Sequence, residues 1–283
     1  MFAKIIQVDK SVFPKSFILL QQEAILTNTS LLSGFEYLIR GHTEDVYKGA
    51  YYAAFFDLSI GIERLLKLTI LTHLFIENDC NIPKPINFKK DYGHNLLDLY
   101  SAVRNINQYD TIIPVLDNLD AKILSFLRDF AEAKIGRYYN IEGLFHSQMV
   151  DPINQWEEIM DHIKVSDIPE RVFHSLEAKV FNNIDPVLQL DDIANNTGYV
   201  HSVYKYHLYA KINRYTLWRI IEFLRPILNM LDDMSMECHR MDTEELSRNC
   251  PSIPYFSEIF LFAYSDRQTV FKRKKWTSLA MPQ

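Results

Sequence analysis

Basic and aromatic side chains interleave near the C-terminus: Arg267, Lys272, Arg273, Lys274 and Lys275, flanked by Phe271 and Trp276. Cations beside aromatic rings can hold phosphates and stack on bases, which makes this segment a candidate nucleic-acid contact. A basic edge strand that resists aggregation has the same composition. A second group, Arg137, Tyr138, Tyr139 and Asn140, stands where a long helix should close. Each member has an ordinary structural reason. A cation in a last turn suits the helix dipole. Asparagine tolerates the left-handed C-cap conformation. Tyrosine adds packing area with a polar tip. With Ile135 and Tyr138 turned inward, Glu132 and Arg137 fall outside the apolar stripe and Arg128 sits at its edge. These reasons account for the residues singly and not for their occurrence together.

Other chemistries find less support. The nine histidines are scattered and form no His-Glu-x-x-His. Glu158 and His162 share a helix face, but a carboxylate-bridged di-iron bundle needs paired Glu-x-x-His motifs. No metal and no cofactor is expected. Neither phosphate-binding glycine pattern is present, which excludes a P-loop nucleotide hydrolase. No Gly-x-Ser-x-Gly elbow occurs. Glu63 and Lys67 make an i, i+4 pair in apolar surroundings, read first as a surface ion pair. The three cysteines, Cys80, Cys238 and Cys250, form no Cys-x-x-Cys, so a disulfide scaffold or thiolate zinc site is not expected and a reducing cytoplasm fits.

The elements that must carry these residues are helical. The 283 residues are 48% hydrophobic and 23% charged, with eight glycines, and periodic apolar stretches dominate. The net charge of -6 gives no general attraction to nucleic acid or anionic membrane. The N-terminus lacks a signal-peptide shape, and no segment reaches the roughly 20 apolar residues of a spanning helix. Helices are predicted over 16–40, ended by Gly41, and from Glu44 to Glu77 behind a Thr43 N-cap. Gly61 would permit a close helix approach there. Further helices are predicted from His94 to Asn107, from an Asp117 cap to Tyr139, from Asp151-Pro152 to Lys164, and from Ser166 and Pro169 to Asn182. The last, Gly198 to Met236, should bend near Pro226. IFLFAY (259–264) and TVFKRKKW (269–276) read as a β-hairpin. The fold class is therefore mainly α: a helical bundle over 1–148, then a second helical region over 149–283 ending in that hairpin.

Three segments together, GAYYAAFFDLSIGIERLLKL, GHNLLDLY and AKIGRYYN, resemble the HEPN superfamily of small helical bundles. The corresponding residues are Glu63 to Lys67, His94 to Leu96, and Arg137, and the resemblance covers about residues 44–145. It implies a dimer that brings an arginine and a histidine from each protomer to one interface. It also implies metal-independent RNA cleavage in a toxin or anti-phage setting. The histidine would be the acid or base and the arginine would stabilise phosphate charge. The family places its histidine after four to six residues that follow the arginine, where this chain has Glu142, Gly143 and Leu144; His146 comes two residues later. The candidate catalytic set is Arg137, Tyr139, Asn140 and His146. Arg128, Tyr138 and the basic C-terminal residues are candidate nucleic-acid contacts. The expected protein is cytoplasmic. It binds RNA or a nucleotide, works as a homodimer or with a partner protein, and has no membrane association. If it is an enzyme, it is a metal-independent endoribonuclease. The alternative is a non-enzymatic helical scaffold whose aromatics mark protein interfaces.

Overall fold

The computed structural model describes residues 13–41, 45–85, 90, 92–106, 108–132, 137–146, 150–182 and 199–280. Among them run nine α-helices and no strand. They are α1 (Lys15–Arg40), α2 (Asp45–Ile76), α3 (Leu96–Arg104), α4 (Asn118–Ala131), α5 (Tyr139–Glu142), α6 (Pro152–Asp167), α7 (Glu170–Phe181), α8 (Tyr199–Arg240) and α9 (Arg267–Lys272). A π-type turn, Met241–Glu245, prolongs α8, and short 3₁₀ turns occupy Phe256–Glu258, Leu261–Tyr264 and Thr277–Ala280. The protein is mainly helical. No helix among the described residues is long and apolar enough to cross a membrane.

Local chemistry sets the helix starts. Asp117 accepts from the Leu119 and Asp120 amides at 2.9 and 2.7 Å, satisfying donors that α4 would otherwise leave unpaired. Asp151 does the same for Ile153 at 2.8 Å, with Pro152 at the first position of α6. Asn95 caps α3 through the Leu97 amide, so that helix begins two residues after the predicted His94. The Thr43 cap and the inward placement of Ile135 fall outside the described residues. α8 stays helical through Pro226.

The chain packs as two compact units. Unit 1 comprises Met1–Thr29, Gly61–Val115 and Leu224–Ala263; unit 2 comprises Ser30–Ile60, Leu116–Phe223 and Tyr264–Gln283. Each draws on both sides of residues 148 and 149. The core of unit 1 buries Leu20, Leu66, Leu99, Val103, Leu231 and Phe260. In unit 2, α4 packs on α6 around Trp156, which is fully buried, with Phe55 and Phe126 at ring distances of 4.9 and 5.0 Å.

The β-hairpin expected at 259–276 is not formed. The groups that would pair across it are taken by side chains. Glu36 accepts from the Trp276 and Thr277 amides at 3.1 and 3.3 Å, and Arg214 donates to the Arg273 carbonyl at 3.1 Å. Asp266 accepts from the Thr269 amide at 2.6 Å and so opens α9 where a strand was read. Burial also lacks a strand's alternation, since Val270 and Trp276 are buried while Lys272 and Lys274 between them are exposed.

Gly61 is buried in α2, but the close approach of α1 to α2 that the structure shows lies at Gly34. A Cβ there would sit 2.8 Å from Leu58 Cγ and 3.1 Å from the Leu58 amide nitrogen. Gly34→Ala gains about 1 kcal/mol of helix propensity and incurs overpacking of about 1–3 kcal/mol. The expected outcome is net destabilisation, seen as a lower urea midpoint with unchanged slope.

Candidate functional site

Arg137 and its neighbours lie in unit 2 and are partly built as a site. The Arg137 guanidinium donates to the Ala131 carbonyl at 3.0 Å and to the Tyr138 hydroxyl at 3.1 Å. It lies 4.2 Å from the centroid of Phe56, a cation–π contact. Phe56 in turn packs edge-on against Phe130 of α4. Tyr138 is 48% exposed and so is not the inward-facing residue of the predicted stripe. Asn140 is not a left-handed C-cap; it lies inside the short helix α5. Beyond it, Ile141, Leu144 and Phe145 are 64, 78 and 77% exposed. His146 is exposed and makes no side-chain hydrogen bond among the described residues. Arg128 is occupied by Asp129 at 2.7 Å and Ser125 at 3.0 Å. Burial pushes the Tyr52 hydroxyl up to about 12, with Asp151 and Tyr139 adding to the shift, so this phenol keeps its proton and cannot act as a base.

The basic C-terminal segment is also in unit 2. Arg267, Lys272, Lys274 and Lys275 are exposed, and none of them makes an ion pair among the described residues. Arg267 lies over the rings of Tyr215 and Phe271 at 5.5 and 5.4 Å, and those rings meet edge to face at 4.6 Å. Arg273 differs. Its guanidinium is partly buried against Trp276, 5.5 Å from the ring.

In unit 1, Glu63, Lys67 and His94 come together. Glu63 Oε1 accepts from Lys67 Nζ at 2.6 Å, and His94 Nδ1 lies 2.8 Å from the same oxygen. Glu158 and His162 remain on an exposed face of α6, where Lys122 Nζ sits 3.3 Å from His162 Nε2. A cation in that position opposes metal binding.

The most built cluster among the described residues carried no sequence signal. Cys80, in the turn after α2, and Cys238, in the last turns of α8, are 158 residues apart. Their Sγ atoms lie 2.7 Å apart, and both side chains are buried. Asp242 is 1% exposed. One of its oxygens accepts from Arg248 at 3.0 Å and the Ser252 hydroxyl at 2.7 Å; the other accepts from the Ser252 amide at 2.6 Å. Cys80, Cys238 and Asp242 together offer metal-ligand atoms within 4.8 Å of one another. The carboxylate is already fully engaged and faces a guanidinium, so the donor set suits a thiol pair better than a bound cation.

No family model, curated protein or solved structure matches the chain.

Glu36 anchors the end of the basic segment to α1. Burial alone would raise its carboxyl, but hydrogen bonds from Thr277 and the Trp276 amide, with Arg40 nearby, hold it below the ordinary glutamate range. An acid with a depressed folded pKa contributes stability above its unfolded pKa and loses it as pH falls through the folded one. Stability should therefore drop as the pH is lowered below about 4. Glu36→Gln should flatten that dependence and cost about 1 kcal/mol near neutrality. Urea titrations across that pH range check both.

Proposed function

We propose that this is a HEPN-like protein that binds RNA through unit 2. The observation that carries the reading is the group of exposed cations Arg267, Lys272, Lys274 and Lys275 in the segment that packs Phe271 on Tyr215. The charges would track phosphates and the rings would offer a stacking face. Arg137, held over the Phe56 ring, would add a positioned guanidinium for one more phosphate. The dimeric and toxin or anti-phage setting rests on the HEPN resemblance alone.

The counterion-release relation gives a quantitative test. Replacing Lys272, Lys274 and Lys275 together by Ala should weaken binding to a single-stranded RNA and shallow the log K against log salt slope by about 2. Fluorescence anisotropy at several salt concentrations reads both. An unchanged slope, or no RNA binding by the wild type, would sink this reading. The second reading, a helical scaffold, would then stand, favoured by the exposed Ile141, Leu144 and Phe145.

RNA degradation in EDTA addresses cleavage. A HEPN-like nuclease should remain active without metal and lose activity of about 100-fold or more in Arg137→Ala. Equal degradation by wild type and variant would remove Arg137 from the chemistry.

A further inference from the structure

We propose that Cys80 and Cys238 form a peroxide-responsive dithiol that closes into an intramolecular disulfide, with Cys80 as the attacking sulfur. The site is independent of the RNA-binding reading and lies wholly in unit 1.

Two buried thiols can be mere small hydrophobes. The surroundings here are more than packing requires. Asp79 and Cys80 both have φ of 52°, and Ser247 has φ of 48°; all three are non-glycine residues in the left-handed region. Conformations of this kind persist where surrounding contacts over-determine them. Arg248 supplies such contacts. It donates to the Cys80 carbonyl at 2.8 Å, the Asn81 side chain at 2.9 Å and the Ser252 hydroxyl at 2.6 Å. Asp242, held by Arg248 and Ser252, stands in the π-type turn that follows Cys238. Such turns often accompany functional sites. The network thus fixes the turn bearing Cys80 against the end of α8 that bears Cys238.

Access is unequal. A cleft of about 600 Å³ is lined by Cys80, Asn81, Arg248, Cys250 and Ser252. Cys238 does not line it and is fully buried. Its hydrogen bond to Cys80, burial and nearby Asp242 push its thiol up, so it waits in the protonated form. Of the two sulfurs, a small peroxide entering the cleft meets that of Cys80 first.

The reaction balances with hydrogen peroxide as the oxidant. The Cys80 thiolate attacks one peroxide oxygen, the O–O bond breaks, and the departing hydroxide takes a proton to become water. This leaves a sulfenic acid on Cys80. The Cys238 sulfur then attacks the Cys80 sulfur, the S–O bond breaks, and hydroxide leaves with the Cys238 proton as a second water. Two thiols are oxidised to one disulfide and one peroxide is reduced.

The test treats the reduced, folded full chain with one equivalent of hydrogen peroxide and maps its peptides by mass without reductant. The expected product is a Cys80–Cys238 linked peptide lighter by two hydrogens, reversed by dithiothreitol under native conditions. Cys238→Ser should accumulate a dimedone-trapped sulfenic acid on Cys80. Cys250→Ser should still form the crosslink. Free thiols at both positions after peroxide would overturn the proposal. So would a crosslink that reductant opens only after unfolding, or stoichiometric zinc on both thiols of the purified protein. Because the wild-type map uses no variant, a substitution that fails to fold leaves the test intact.

Discussion

A single buried hydrogen-bond chain in unit 2 sets the geometry on which its surface chemistry rests. Asn213 of α8 is fully buried; its amide donates to the Gly41 carbonyl at 2.6 Å and accepts from the Tyr51 hydroxyl at 2.9 Å. An amide and a phenol taken out of water cost several kcal/mol, of order 2–7 each, unless paired. Pairing them ties the end of α1, the first turns of α2 and the first half of α8 to fixed positions. The constraint extends to Gly41, where a Cβ would lie 2.5 Å from the Tyr51 ring. Burial pushes the Tyr51 hydroxyl far up, so it remains a donor at any working pH.

From Tyr51 the constraint passes outward through rings. Tyr51 stacks on Phe55 at 5.7 Å, Phe55 meets Phe130 at 5.2 Å, and Phe130 meets Phe56 at 5.3 Å. Arg137 lies on Phe56. The guanidinium is thus placed by the aromatic core rather than by its own segment, which supplies only the Ala131 carbonyl and the Tyr138 hydroxyl. The charge network of α8 plays a parallel role nearby. Arg219 pairs with Asp117, Asp120 and Asp167, joining the starts of α4 and the end of α6 to one guanidinium. Removing one partner from such a group leaves the others uncompensated, which is why it holds the elements in register.

Unit 1 is organised around a different polar centre. Asp242 and Arg248 bond to each other and to Ser252, beside two sulfurs that lie 158 residues apart in the sequence. The cations of the C-terminal segment in unit 2 face solvent, whereas the Asp242 carboxylate of unit 1 is buried. The two candidate chemistries, phosphate contact and thiol oxidation, follow from that difference in burial.

The mainly helical class and the caps Asp117 and Asp151 were legible in the sequence, because a cap is a local event that acts on amides two or three residues away. The basic cluster was legible as composition. Its conformation was not, because Glu36 and Arg214, 240 and 59 residues distant, claim the backbone groups that a hairpin would have used. The same limit hid the thiol centre: no local pattern links Cys80 to Cys238. By itself the sequence determined the mainly helical class and the capped starts of α4 and α6, since a cap depends on side chains within one turn. Only the tertiary structure decided that Arg137 rests on Phe56, that the C-terminal segment is helical and clasped, and that two cysteines face each other. Each of those is a contact between groups far apart in the chain, and burial fixes it only once the core has closed.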